Sequence, residues 1–150
     1  MLPGLEILVP SVGSRGIVAQ AVEWAAKHGY ETTAESVHVG STECIFSDTT
    51  EWLEVDHPAV AAAMGWTPVA VLAVHSNAKN SIAQKILAEL SVRLAEDFSG
   101  VISLDNVLED LDPTDVFLST PGLTGTRTDC YASPSALAAW IKHPEFHVPC

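Results

Sequence analysis

The run TPVAVLAVHS, Thr67–Ser76, is apolar at almost every position, and NSIAQKILAELSVRLAEDFSG follows it with apolar residues at helical spacing. A strand that is apolar on both sides of its pleat has to be covered on both faces, which predicts a buried central strand under a long helix. With VISL, 101–104, the two segments make a β-α-β unit. Within the helix Ser81 and Gln84 fit a capping box, and Ile82, Ile86, Leu90 and Leu94 share a face. Glu89 and Arg93 form an i,i+4 pair, and Gly100 suits the C-terminal cap.

The N-terminal part has the same order. A strand, Leu5–Val9, leads through SVGSRG into a helix from Ile17 to His28, with Trp24 on its apolar face and Gly29 at its end. Residues 35–47 read as a hairpin of short strands about Gly40 and Ser41, and a helix follows from Ala59 to Met64, limited upstream by Pro58. DVFLS (115–119) and DCYAS (129–133) are strand candidates separated by the turn-rich TPGLTGTRT. Ser133-Pro134 opens a last helix that carries Leu137, Trp140 and Ile141 and stops before Pro144. Hairpins combined with crossover helices predict one α+β domain over residues 1–150. The expected form is a two-layer sandwich with a mixed, mostly antiparallel sheet and helices mainly on one face.

Charge narrows the function classes. The chain has 150 residues with nineteen Asp and Glu against seven Lys and Arg, a net charge of -12. Such a surface repels nucleic acid and the anionic face of a membrane, so neither is expected as a partner. The start, MLPGLEILVP, lacks the basic region and cleavage site of a signal peptide, and no apolar stretch reaches membrane-spanning length. Cys44, Cys130 and Cys150 are odd in number and make no CxxC pair, unlike a secreted disulfide framework. The expectation is a cytoplasmic, reduced protein.

No phosphate-binding, dinucleotide, nucleophile-elbow or zinc-protease motif occurs. His143, His147 and Cys150 in HPEFHVPC have metal-like spacing, but Pro144 breaks the local geometry and the segment reads as a His-Pro turn. SVGSRG reads as a strand-to-helix turn, and DNVLEDLDPTD lacks the central glycine and ligand spacing of a calcium loop. No catalytic residue, metal or cofactor is therefore expected.

The acids are unevenly placed. No Lys or Arg occurs between Lys27 and Lys79, or between Arg93 and Arg127, and fourteen of the nineteen acids fall in these two windows. In EWLEVDHP acids alternate with Trp52, Leu53 and Val55. LDNVLEDLDPTD interleaves its acids with Leu104, Val107, Leu108 and Leu111. Apolar anchors surrounded by charge are the composition of a protein interface. The expected partner-binding residues are Glu43, Asp48, Glu51, Trp52, Glu54 and Asp56 in the first window, and Asp105, Glu109, Asp110, Asp112 and Asp115 in the second.

LEILVP, the block from MGWTPVAVLAVHS to DFSGVISL, and the ending LAAWIKHPEF resemble a family of small acidic bacterial proteins classed as a domain of unknown function. That family ends in a Trp-x-x-His-Pro-x-Phe pattern, here Trp140, His143, Pro144 and Phe146, and HVPC replaces the basic tail expected after it. The family resembles immunity proteins of polymorphic, Rhs-type toxin systems. The resemblance implies a non-enzymatic protein that occludes the basic cleft of a cognate nuclease or ADP-ribosyltransferase toxin domain. The alternatives are a small hydrolase that reverses a toxin's modification and a regulatory or structural domain unrelated to toxins.

Overall fold

The computed structural model describes residues 2–53 and 58–149. Its strands are β1 (Gly4–Val9), β2 (Glu31–Thr32), β3 (Ser36–Val39), β4 (Thr42–Asp48), β5 (Ala70–Ser76), β6 (Val101–Ser103), β7 (Leu123–Gly125) and β8 (Cys130–Ala132). The helices are α1 (Ile17–Lys27), α2 (Pro58–Met64), α3 (Ser81–Phe98) and α4 (Pro134–Ile141). Among the described residues the eight strands form one sheet in the order β2-β3-β4-β5-β1-β6-β8-β7. Every neighbouring pair is antiparallel. The chain is thus an α+β fold.

The crossover helices are reconciled with an antiparallel sheet by the position of β1. Both β5 and β6 run antiparallel to β1, so they are parallel to each other with β1 between them, bridged by α3. This is a split β-α-β. The series β1-α1-β4-β5-α3-β6 follows the ferredoxin-like strand order, extended by β3 and β2 on one side and by β8 and β7 on the other.

Strand alternation sorts the core into two layers. Leu5, Ile7 and Val9 join Leu72, Val74 and Ile102 against Ile17, Trp24, Leu87, Leu94, Leu137 and Trp140 from α1, α3 and α4. On the reverse face Leu8, Val71, Val101 and Tyr131 meet Val60 of α2. The central strand β5 is covered on both faces, as its sequence requires.

Details of α3 differ from the sequence pattern. Its N-cap is Asn80, whose Oδ1 accepts from the Ala83 N–H at 2.9 Å, so Ser81 is the first helical residue. The buried stripe is Ala83, Leu87, Leu90 and Leu94, while Ile82 is 70% exposed. Arg93 turns to aromatic partners: its guanidinium lies 5.2 Å from the Tyr30 ring centre and 5.7 Å from that of Trp24, and it donates to the Tyr30 hydroxyl. A delocalised cation over ring faces, with its donor satisfied, competes well with an exposed ion pair to Glu89.

The left-handed cap of α3 is Ser99, at φ 54°, and Gly100 serves a different purpose. A Cβ at Gly100 would lie 2.7 Å from the Leu8 carbonyl oxygen and 3.1 Å from Ile7 Cγ2, so only glycine lets β6 start this close to β1. Gly100→Ala should destabilise the fold by about 1–3 kcal/mol through overpacking, measured as a lower urea midpoint with an unchanged slope.

Residues 115–119 are not a strand. Val116–Ser119 is a 3₁₀ turn started by Asp115, whose Oδ1 accepts from the Phe117 N–H at 2.8 Å and so directs Phe117 into the core. The hairpin partner of β8, on the side away from β6, is β7, which lies inside the turn-rich stretch.

Candidate partner-binding surface

The first acidic window is divided by its own strand. Glu43 is at the start of β4, where its backbone N–H donates to Asn77 Oδ1. Asp48 is at the other end, beside Leu72, and the next residue, Thr49, donates its N–H to the Val71 carbonyl. A strand of this length places its ends on the order of 20 Å apart, so these acids do not share a patch. Glu43 is also engaged internally. Its Oε2 accepts from Ser36 Oγ at 3.0 Å and pairs with His38 Nε2 at 3.3 Å. Asp48 Oδ1 accepts from the Thr50 N–H at 2.9 Å, opening the 3₁₀ turn Thr50–Trp52 on which exposed Glu51 sits. Glu54, Asp56 and the Trp52 side chain lie outside the described residues.

The second window is divided too: Glu96 and Asp97 sit on the last turns of α3, before β6, where Asp97 accepts from Trp24 Nε1, and the remaining acids, Asp105 to Asp115, follow β6 on one loop segment. β6 ends at Ser103 opposite Glu6, so the following segment leaves the sheet at the Gly4 end of β1, away from Asp48 and Glu51. Leu104, Val107, Leu108 and Leu111 are all buried, and they anchor the segment to the core instead of a partner. What remains outward is Asp105, Glu109, Asp110 and Asp112, with Val116 beyond them at 84% exposed. Asp112 Oδ1 accepts from the backbone N–H and hydroxyl of Thr114, which hold its carboxyl below the usual carboxylate range.

Arg127, which bounds this window in sequence, returns to it in space. Its Nη2 donates to the carbonyl oxygens of Glu109, at 2.6 Å, and Leu111. Arg127 is therefore held on the loop's backbone, and its charge also helps to hold the Asp112 carboxyl low.

Asp115 is distinct from the other acids in the window. His143 Nε2 lies 3.2 Å from both of its oxygens, while His143 Nδ1 accepts the Glu145 N–H at 3.0 Å, so the ring proton is on Nε2 and is donated to the carboxylate. The Phe117 N–H first, and His143 after it, hold the Asp115 carboxyl below its ordinary value. A carboxyl depressed in the folded state stabilises above its unfolded pKa, and that contribution fades as pH falls through the folded one. Asp115→Asn should accordingly be less stable than the parent at neutral pH, with the gap closing in strong acid, as denaturation midpoints across pH would record.

The ring of His143 stacks on Trp140, with centroids 5.0 Å apart, and Trp140 also meets Phe117 at 5.1 Å and Phe146 at 6.2 Å. Trp140 Nε1 donates to the His147 carbonyl at 3.1 Å. The Trp-x-x-His-Pro-x-Phe ending is thus a clamp that ties the C-terminal turn to the end of the acidic loop. His143 is occupied by Asp115, His147 Nδ1 lies 2.9 Å from the Glu145 carbonyl, and Cys150 is outside the described residues. Among the described residues no three His, Cys, Asp or Glu side chains are placed to hold a metal.

A family profile matches residues 3–149, nearly the whole chain. The chain belongs to DUF6368, a family of unknown function. No curated protein and no solved structure matches it. The family match includes the clamp residues Trp140, His143, Pro144 and Phe146.

Two further features bear on chemistry. Burial, with Glu43 adding to it, pushes the Cys44 thiol up to about 11, and burial also raises Cys130. Thiols held protonated are weak nucleophiles at neutral pH. Beside the acidic loop is a cleft of about 270 Å³. Leu123, Thr124, Gly125, Thr126 and Arg127 line one side, and Leu108, Pro113, Leu118 and Cys130 complete it. Among the described residues no helix is long and apolar enough to cross a membrane.

Neither the buried role of Leu104, Val107, Leu108 and Leu111 nor the return of Arg127 is visible in the acid pattern. The spacing of the four apolar residues, at intervals of three, one and three, is the signal that marks them as one inward stripe.

Proposed function

We propose that this protein binds and neutralises a cognate antibacterial toxin domain as a non-enzymatic immunity protein, with the second acidic window as its contact surface. The observation that carries the reading is the loop itself. Four exposed carboxylates, Asp105, Glu109, Asp110 and Asp112, stand on a backbone pinned by buried leucines and by Arg127, with exposed Val116 beside them. A pre-organised anionic loop loses little entropy on binding and steers a basic partner to itself, which suits occlusion of a cleft that handles nucleic acid or a nucleotide. The resemblance of such small acidic proteins to immunity proteins, in role and size, points to the same reading.

The test is co-expression with the toxin domain encoded beside this chain, followed by co-purification. The expected result is restored growth and a stable complex at one-to-one stoichiometry. Blocking by mass action needs at least about one equivalent of inhibitor. Protection at far lower amounts would replace this reading with an enzymatic one, and absence of both rescue and complex would end it.

A further inference from the structure

We infer that the cleft beside β7 binds a small organic acid, a monoanion whose carboxylate sits on Arg127 and whose short aliphatic part lies against leucines. It is a ligand site of the chain itself and stands apart from the toxin contact. Among the described residues, Arg127 Nε is the one buried side-chain nitrogen or oxygen without a hydrogen-bond partner. A buried donor left unmet costs stability, and folded proteins keep few of them. The guanidinium bonds the carbonyl oxygens of Glu109 and Leu111 through Nη2. It thus holds the loop with one nitrogen, while its charge faces no carboxylate at bonding distance and the Nε–H calls for an acceptor from outside the fold. Arg127 also lines the cleft, which is where such an acceptor enters.

The lining selects the ligand. Arg127 is its charged residue, and no carboxylate side chain joins it. Thr124, Gly125 and Thr126 extend the polar side, and Leu108, Pro113, Leu118 and Leu123 supply an apolar one. A single cation balances a single negative charge. Phosphate groups carry more than one at neutral pH, and the surroundings resist the excess, because Asp112 is close enough for Arg127 to help lower its carboxyl. A planar carboxylate also matches the donor geometry of a guanidinium. The volume of about 270 Å³ lies just under the usual range for small-molecule sites, which limits the ligand to a few carbons.

The probe is sodium isovalerate, titrated into the isotope-labelled full chain at constant ionic strength, with the Arg127 Nε–H resonance followed by NMR. Saturable one-to-one binding is expected with a Kd of about 1 mM, in keeping with so small a ligand. The Arg127 Nε proton should move downfield and exchange about tenfold more slowly or less at saturation, as a charge-assisted bond forms. Isovaleramide keeps the shape and loses the charge, so it should bind about tenfold more weakly or worse. Acetate keeps the charge and loses the aliphatic part, and it too should bind about tenfold more weakly or worse.

An Arg127 Nε–H resonance unmoved at about 50 mM isovalerate would overturn the site. Equal affinity of isovaleramide would overturn recognition of the charge, and equal or tighter binding of inorganic phosphate would overturn the monocarboxylate. Arg127→Lys keeps the positive charge without the Nε–H and should weaken isovalerate about tenfold. Undiminished binding by that variant would count against the assignment as well. Should the variant fold poorly, the ligand comparisons on the parent chain decide the question without it. None of these measurements uses the toxin domain, so loss of this site leaves the immunity reading standing, and loss of that reading leaves the site.

Discussion

Replacing Trp140 with alanine is expected to lower the stability of the fold by about 3–5 kcal/mol, the usual range for deleting a buried large aromatic side chain. Trp140 is 1% exposed and is packed by Phe117, His143 and Phe146, so its removal leaves a cavity bounded by three rings from two segments, the 3₁₀ turn and the C-terminal turn. The indole N–H bond to the His147 carbonyl is lost with it. Against a typical total of about 5–15 kcal/mol this is a large fraction. In a domain of this size it corresponds to a fall in Tm of roughly 6–20 °C. Thermal and urea unfolding of the variant would measure it. A shift within error of zero would mean that the clamp contributes nothing to holding the C-terminal turn.

The second large effect concerns association. Changing Asp105, Glu109 and Asp110 to Lys should slow association with the toxin domain about a hundredfold at low salt, within the usual range for electrostatic steering. The fold should survive, because all three side chains are exposed and the loop-shaping bond at Glu109 is to its backbone carbonyl, which Lys keeps, in contrast to the carboxylate bonds of Asp112 and Asp115. Stopped-flow mixing across ionic strengths reads the rate, and the parent's salt dependence should largely disappear in the variant. The counterpart Glu51, Glu54 and Asp56 to Lys is the control. If that variant loses binding and the first one does not, the contact belongs to the other end of the sheet.

The architecture was legible in the sequence because it depends on local signals. The apolar run at 70–76, the glycine at Gly40 and the Ser133-Pro134 start each act within a few residues, and each element formed where they place it. Errors arose where two local signals competed. Ser81 and Asn80 are both good caps, and only the inward direction of Ala83 and Leu87 selects Asn80. Val116–Ser119 has strand-like residues, but the carboxylate of Asp115 and the pull of Phe117 toward Trp140 wind it into a 3₁₀ turn.

The candidate surface was legible only as charge. By itself the sequence determined that the chain is strongly acidic, that its acids are segregated from its bases along the chain, and that a doubly covered strand lies at the centre of an α+β fold. Only the tertiary structure decided which acids act together. Sheet pairing sends the two ends of β4 apart and so splits the first window, while burial of Leu104, Val107, Leu108 and Leu111 turns Asp105, Glu109, Asp110 and Asp112 outward on the segment after β6. Tertiary contact also brings Arg127 back onto the loop and His143 onto Asp115, while Asp105, Glu109, Asp110 and Asp112 stay exposed. The physical reason is that charge counts add along a chain, whereas a binding surface depends on distances in space, and those are set by strand register and by which side chains are buried.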